Sequence, residues 1–358
     1  MGGARGMTIL VTGGAGFIGA NFIQDWLTLS DEPVVNLDSL TYAGHLESLA
    51  AVRDDPRHVF VKGDIADTAL VMQLLHEYGI RAVVNLAAET HVDRSIRLME
   101  DFVQTNVLGT SHLVEACRQY FSAVSEDVRL CFRFLHVSTD EVFGSLDEDD
   151  AAFSESSAYS PNSPYAASKA AADHLVRAVY RTYGLPVLIT HCSNNYGPFQ
   201  YPEKLIPVMI HNALSSKPLP LYGDGMQVRD WVYVKDHCSA LRQVLEKGKV
   251  GRTYNIGGLN QKRNIEVVVG VCRILDELRP REDGVSYSGQ LRFVADRPGH
   301  DRRYAIDATR IWDEMGWMPE VSFEQGLRMT VEWYLENTGW LESVSDERFH
   351  QWIERQYA

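Results

Sequence analysis

Cysteine is scarce in this chain. The five residues (Cys117, Cys131, Cys192, Cys238 and Cys272) are odd in number and widely spaced. No CxxC pair occurs, so the pattern indicates neither a zinc or other metal site nor a disulfide framework. A reducing cytoplasm fits it. Long apolar runs are missing too: nothing approaches the ~18 uncharged apolar residues that cross a bilayer. The opening MGGARGMTILVTGG lacks the apolar region and cleavage pattern of a secretory signal. Residues 1–6 read as a start-site extension or tag remnant, and Gly6 stands where a myristoylation signal has Ser or Thr. Basic charge is in deficit, with 34 Lys and Arg against 48 Asp and Glu, a net −14. That argues against nucleic acid or an anionic membrane as partner, while leaving room for a small anion in a local basic pocket. Repeats and low-complexity segments are absent.

What is present is an ordinary globular composition, 45% hydrophobic over 358 residues, long enough for two domains. Short apolar runs at 8–12, 34–37, 59–61, 82–86, 132–138 and 186–190 alternate with helical patterns at 17–29, 68–78, about 99–121 and 168–183. Continuous apolar strands separated by helices predict a parallel sheet covered on both faces, a doubly wound α/β fold. After Asn195 the texture changes to dense proline, glycine and aromatics, as in NYGPFQYPEKLIP. We therefore expect a dinucleotide-binding domain over 7–192 and a smaller, irregular α/β domain over 193–358. Segments near 235–262, with a helix at 235–247 and a strand at 253–256, are expected to return to the first domain.

Gly13, Gly16 and Gly19 follow the first predicted strand and open a helix. The spacing is GxxGxxG. Gly13 allows a tight turn, Gly16 lets a pyrophosphate approach the backbone, and Gly19 lets the helix pack closely on the sheet. Asp38 ends the next strand, nineteen residues past Gly19. A carboxylate there accepts from ribose hydroxyls and repels a 2′-phosphate, favouring NAD over NADP in a Rossmann-type fold. Asp64 follows the third strand, where it reads equally as an adenine contact or a plain turn residue.

Tyr165 and Lys169 in YAASK share a helix face. An ammonium beside a phenol favours phenolate, a base toward an alcohol. Thr139-Asp140-Glu141 adds a hydroxyl and two carboxyls at a strand end. Oxidising an alcohol needs neither acid. Eliminating water across two carbons needs a proton donor and a proton acceptor. Two adjacent acids in a loop read equally as solvated charge.

This combination resembles the extended short-chain dehydrogenase/reductase superfamily in its glycine loop, YxxxK pair, upstream Thr139 and NNYGP segment. Within it, the sequence is similar nearly end to end to the dTDP-glucose 4,6-dehydratase family. The motifs are TILVTGGAGFIGANF, NLAAETHVDRSI, HVSTDEVFG, SPYAASKAAADHL, PEKLIP and ADRPGHDRRY. The resemblance implies a lyase that uses NAD on the substrate dTDP-glucose. Thr139, Asp140, Glu141, Tyr165 and Lys169 would be catalytic. Tyr165 would take the C4 hydroxyl proton as hydride passes to NAD. Glu141 and Asp140 would then remove water across C5 and C6, before hydride returns to C6. Phe17, Ile18, Asp38, Ser39, Leu40, Thr41, Asp64, Ile65, Leu86, Ala87, Ala88, Glu89, Thr90, Thr105 and Asn195 would line the cofactor site with the three glycines, Tyr165 and Lys169. Thr90, Thr139, Asn194, Lys204, Leu205, Pro220, Leu221, Tyr222, Arg229, Asn264, Asp296, Arg297, Pro298, Gly299 and His300 would hold the substrate. A homodimer through two long helices per subunit is implied as well. His45, Thr90 and Phe143 depart from the family's usual Asn, Ser and Tyr, and none belongs to the proton-transfer set. Other readings on the same fold are a 4-epimerase, a dehydratase for another nucleotide sugar, or a non-catalytic NAD-binding scaffold.

Overall fold

Five buried residues in a row, Thr8–Thr12, make the first strand the centre of the molecule rather than an edge. In the computed structural model, which describes residues 7–345, 349 and 351–353, this strand (β1) lies between β2 (Val34–Asp38) and β4 (Ile80–Asn85). With β3 (His58–Lys62), β5 (Arg133–Thr139), β6 (Val187–Cys192) and β10 (Thr253–Ile256), the sheet runs β10-β6-β5-β4-β1-β2-β3. Every pairing in it is parallel. The order reverses between β1 and β4. In an open α/β sheet the carboxyl ends at such a switch form the ligand crevice. The chain is thus a doubly wound parallel sheet with a smaller C-terminal α/β region.

Helices cover both faces. α1 (Phe17–Leu29) buries Ala20, Ile23, Trp26 and Leu27 on one stripe against the sheet. α2 (Thr68–Tyr78) packs on the other face. The predicted helix at 99–121 is interrupted. Short helices α3 (Val92–Arg97) and α4 (Met99–Phe102) lead into a π-helical stretch, Val103–Gly109, and only then into α5 (Thr110–Ala123). The stretch buries Asn106 and Gly109, and a Cβ on Gly109 would lie 3.1 Å from Ile65. π-bulges occur most often near functional sites. After α6 (Glu126–Cys131), α7 (Pro164–Tyr183) begins four residues before the predicted start. The Ser163 hydroxyl accepts from Ala166 N, Pro164 presets the first turn, and Gly184 ends the helix at φ 73°. Such a serine cap is worth about 1 kcal/mol.

Beyond β6 the chain builds a second core. β7 (Asn194–Tyr196), β9 (Val228–Tyr233) and β11 (Gln261–Arg263) form one small sheet, and β8 (Leu219–Tyr222) pairs with β12 (Leu291–Val294). α8 (Leu205–Leu214), α10 (Asn264–Leu278) and α12 (Phe323–Glu336) close over them around Tyr196, Met209, Trp231 and Tyr334. α9 (Val234–Lys247) packs on α1, with α11 (Thr309–Met315) beside it. α13 (Thr338–Val344) brings Trp340 to donate to Ser48 Oγ at 3.1 Å. Among the described residues no helix is long and apolar enough to cross a membrane. Residues 1–6, read as an extension, lie outside the described residues.

Candidate active site

The glycine loop turns away from β1 at the switch point. Gly13 N–H donates to Leu37 O at 3.0 Å, and Gly13 has φ 69°. A Cβ there would sit 2.7 Å from Ala87 N, so neither the backbone angle nor the space admits a side chain. Gly19 has a different role from the one its position suggests. A Cβ on it would meet Gly13 O at 2.2 Å and Gly14 Cα at 2.6 Å, so it packs on the loop itself. Gly14 packs against Asn36 of β2, where a Cβ would lie 2.2 Å from the amide oxygen. Helix α1 then opens with no side chain capping it and no acidic residue in its first turn. Its first N–H groups suit an anion.

Asp38 shapes the far side of this cradle. One oxygen accepts from Ala15 N and the other from Leu40 N, both at 2.8 Å. Each keeps a lone pair for another donor. Asp64 Oδ1 accepts from Ala66 N at 2.8 Å, as a turn residue does, and the residue also faces the cavity. Loop, acids and the ends of β4, β5 and β6 enclose a cavity of about 310 Å³. Its wall carries the predicted cofactor residues with one exception. Leu40 packs on the hydrophobic core, and its backbone at φ 54° turns the loop around Asp38. The wall adds Gly44, Ser138, Cys192, Gln200, Tyr201 and Glu203, which motif spacing does not reveal. Tyr201 and Glu203 come from the Pro- and Gly-rich segment, whose change of texture was the available signal.

At the other end of the same cavity stand Thr139, Asp140, Glu141, Tyr165 and Lys169. Thr139 ends β5 and caps the 3₁₀ turn Asp140–Phe143, accepting from Glu141 N at 3.2 Å. Its hydroxyl also reaches the Tyr165 phenol. Lys169 is arranged differently from the simple pair. Its Nζ donates to Val137 O at 2.9 Å. Burial, then the charge of Glu141, pushes the phenol well above its ordinary range, while burial pushes Lys169 down.

The two carboxyls are adjacent in sequence but differ in surroundings. Asp140 is 1% exposed, and its Oδ2 has no hydrogen-bond partner among the described residues. Burial, then Glu141 and Asp230, raises it well above the carboxylate range, with Arg229 opposing. Burial also raises Glu141, but Arg297, Arg229 and Lys204 all draw it back. Asp140 is therefore pushed toward its acid form more strongly than Glu141, a difference of the kind that separates an acid from a base.

Asn194 and Lys204 line this cavity, and Lys204 Nζ donates to Thr90 O at 2.9 Å. Thr90 and Thr139 line it too, while the predicted substrate residues from Leu205 to His300 do not. Tyr222 OH donates to Asp93 at 3.4 Å, and Arg297 pairs with that carboxylate at 3.5 Å. Arg297 Nε is buried without a partner among the described residues. His300 Nδ1 meets Asp296 at 2.6 Å. Arg229 donates to two backbone carbonyls, Val228 O and Asp301 O, with its guanidinium 4.2 Å from the Tyr304 ring centre. Leu221 is buried in the second core, because strand alternation turns it inward. Leu205 packs on that core from the first turn of α8, Pro220 lies in β8, and Asn264 begins α10. Pro298 and Gly299 lie in the loop between Arg297 and His300, with Gly299 at φ 64°.

Comparison with known proteins follows the same lines. The family model of GDP-mannose 4,6 dehydratase matches residues 10–330. A dTDP-glucose 4,6-dehydratase of Xanthomonas campestris pv. campestris (strain B100) is 59% identical over 339 residues, 95% of this chain and 96% of that protein. The crystal structure of DesIV, a dTDP-glucose 4,6-dehydratase from Streptomyces venezuelae with NAD bound, superposes with a TM-score of 0.86. It is 47% identical and covers 94% of this chain and 100% of its own. A dTDP-glucose 4,6-dehydratase from Bacillus anthracis str. Ames, in complex with NAD, has a TM-score of 0.83 at 46% identity, covering 94% of this chain and 99% of its own. Identity at this level over nearly the whole length, together with a cavity that joins a dinucleotide cradle to two unlike carboxyls, places the chain in the dTDP-glucose 4,6-dehydratase family.

Proposed function

We propose that this chain is an NAD-dependent lyase that converts dTDP-glucose to dTDP-4-keto-6-deoxyglucose and water. The observation that carries this reading is the pair Asp140 and Glu141, adjacent in one cavity but in unlike surroundings, with Asp140 Oδ2 unpartnered among the described residues and Glu141 drawn by Arg297, Arg229 and Lys204. NAD, when bound, takes a hydride from C4 of the sugar and returns it at C6. The uncapped start of α1 and the loop at Gly13 and Gly16 would hold its diphosphate, and Asp38 the adenosine ribose. Lys169 and Asn195 would stand at the nicotinamide end.

Thr139 would orient the C4 hydroxyl toward Tyr165, which takes its proton. A ketone at C4 acidifies the C5 hydrogen. Glu141, with three cationic neighbours favouring its carboxylate form against burial, would take that proton. Asp140, whose acid form burial favours and whose Oδ2 has no partner among the described residues, would give its proton to the C6 oxygen, which leaves as water. Glu141 then returns a proton to C5. Arg297, with its unused Nε, and Lys204 would meet the substrate diphosphate, and Tyr222 would offer a flat face to the base.

The redox change cancels within each turnover, so the cofactor stays with the protein. Purified protein given dTDP-glucose and no added NAD is therefore expected to produce a sugar nucleotide lighter by one water in mass spectrometry. Unchanged mass even with NAD supplied overturns the reading and favours epimerisation, which leaves mass unaltered.

We infer a cytoplasmic setting from the five unpaired thiols. We also propose a homodimer through α5 and α7. The exposed apolar side chains Met99, Val103, Leu108 and Leu175, on and beside these helices, support it. Light scattering should give twice the chain mass, and Leu175→Asp should lower it. A parent protein at 40.3 kDa in solution removes this proposal.

A further inference from the structure

One buried polar chain crosses the main sheet beneath the catalytic helix, and the reaction scheme does not use it. At its centre is Asp173, four residues past Lys169 on the same face of α7 and 0% exposed. Four side chains from outside the helix converge on its carboxylate. Ser138 Oγ of β5 donates to Oδ2 at 3.0 Å. The Tyr159 hydroxyl, ahead of the helix, donates to it at 3.0 Å. His191 of β6 places Nε2 at 3.1 Å from Oδ2. His136 of β5 places Nε2 at 3.3 Å from Oδ1, and neither of these two atoms has a hydrogen-bond partner among the described residues.

The outer contacts fix the protons. Thr12 Oγ1 donates to Asn85 Oδ1 at 2.7 Å, so the Asn85 amide nitrogen faces His136 Nδ1 at 3.1 Å. His136 thus carries its proton on Nε2, toward Asp173. On the other side His191 Nδ1 faces the oxygen of Asn255 at 3.2 Å and must donate to it. Its Nε2 lies 2.8 Å from the Tyr159 hydroxyl and 3.1 Å from Asp173 Oδ2. Ser138 Oγ, the Tyr159 hydroxyl and His136 Nε2 all present donors to Asp173, which is the environment of an anion.

Asp173 stands one helical turn past Lys169 on α7. The Lys169 ammonium is buried, and its hydrogen bond goes to a neutral carbonyl, Val137 O. The groups whose charge acts on it are Asp173 from its own helix, the His136 ring from β5 and Cys192 from β6. A buried ammonium without an anion is costly. We propose that Asp173 is a positioning residue for the reaction, the buried counter-ion that keeps Lys169 charged and pins α7 to β5 and β6.

This inference rests on the roles proposed above for Tyr165 and Lys169. The experiment follows C4 oxidation in the holoenzyme by the absorbance of reduced nicotinamide, as a function of pH, in Asp173→Asn and Lys169→Met. Asp173→Asn should lose tenfold or more in kcat, with KM within about twofold, and its alkaline limb should move down by about one pH unit. Loss of an anion makes the neutral amine easier to form. A lower melting temperature with an unmoved pH profile would show a merely structural role and overturn the proposal. Undiminished oxidation in Lys169→Met would instead overturn the underlying site assignment. The parent holoenzyme gives a second readout if Asp173→Asn does not fold. Its Lys169 Nζ nuclear resonance, identified by its absence in Lys169→Met, should keep an ammonium shift at about pH 8. A neutral amine there removes the counter-ion role.

Discussion

Asp140→Asn is expected to slow loss of water by about 10²–10³-fold while slowing C4 oxidation less than about tenfold. Asparagine keeps the size of the side chain and a hydrogen-bond donor, but has no proton to transfer. The expected separation of steps follows from the site. In the proposed scheme Tyr165, reached by the Thr139 hydroxyl, would serve the first step, and the unpartnered Asp140 Oδ2 the second. Rapid quench with analysis of the 4-keto intermediate measures both rates, and equal slowing would remove Asp140 from the acid role. The pH sign is also set. The acid form is the working form, so water loss in the parent falls as pH rises through the raised value, and this limb should vanish in the variant. Stability moves oppositely. Because the unfolded chain releases this proton at lower pH than the folded one, Asp140 lowers stability progressively as pH climbs above the unfolded value. Asp140→Asn should therefore melt a few degrees above the parent at about pH 8.

Tyr165→Phe is expected to reduce C4 oxidation by about 10³-fold, with substrate affinity changed only a few-fold. The phenol is pushed well up by burial and by Glu141, so little phenolate forms near neutrality. The parent's oxidation rate should then rise with pH as the base form accumulates. The phenylalanine variant should show a flat profile over the same range. Stopped-flow absorbance of the reduced cofactor reads this directly. A parent rate independent of pH from about 6 to 9 would mean that another group takes the proton.

Local spacing made much of this molecule legible. Glycines at 13, 16 and 19 after an apolar run define a strand–turn–helix unit. Asp38 follows at the end of the next strand, and Tyr165 and Lys169 share a helix face by the i, i+4 rule. Other features needed contacts between distant segments. Leu40 reads as a loop residue facing ligand, yet its left-handed backbone sends the side chain into the core. Gly19 packs on Gly13 rather than on the sheet. The π stretch at 103–109 is hidden in an apparently regular helical period. Asp173 reads as an ordinary helix residue until His136, Ser138, His191 and Tyr159 arrive from three other places.

The sequence by itself determined the fold class and the dinucleotide cradle, and it nominated the side chains proposed to react. Each of these depends on residue type and on spacing within one strand–helix unit. Only the tertiary structure decided how differently the two neighbouring carboxyls are surrounded and which groups converge on Asp173 near the buried Lys169. Solvation and Coulomb interaction depend on distance in space. Arg229, Arg297 and Lys204 reach Glu141 from segments 63 or more residues away in the chain, and no local pattern records their arrival.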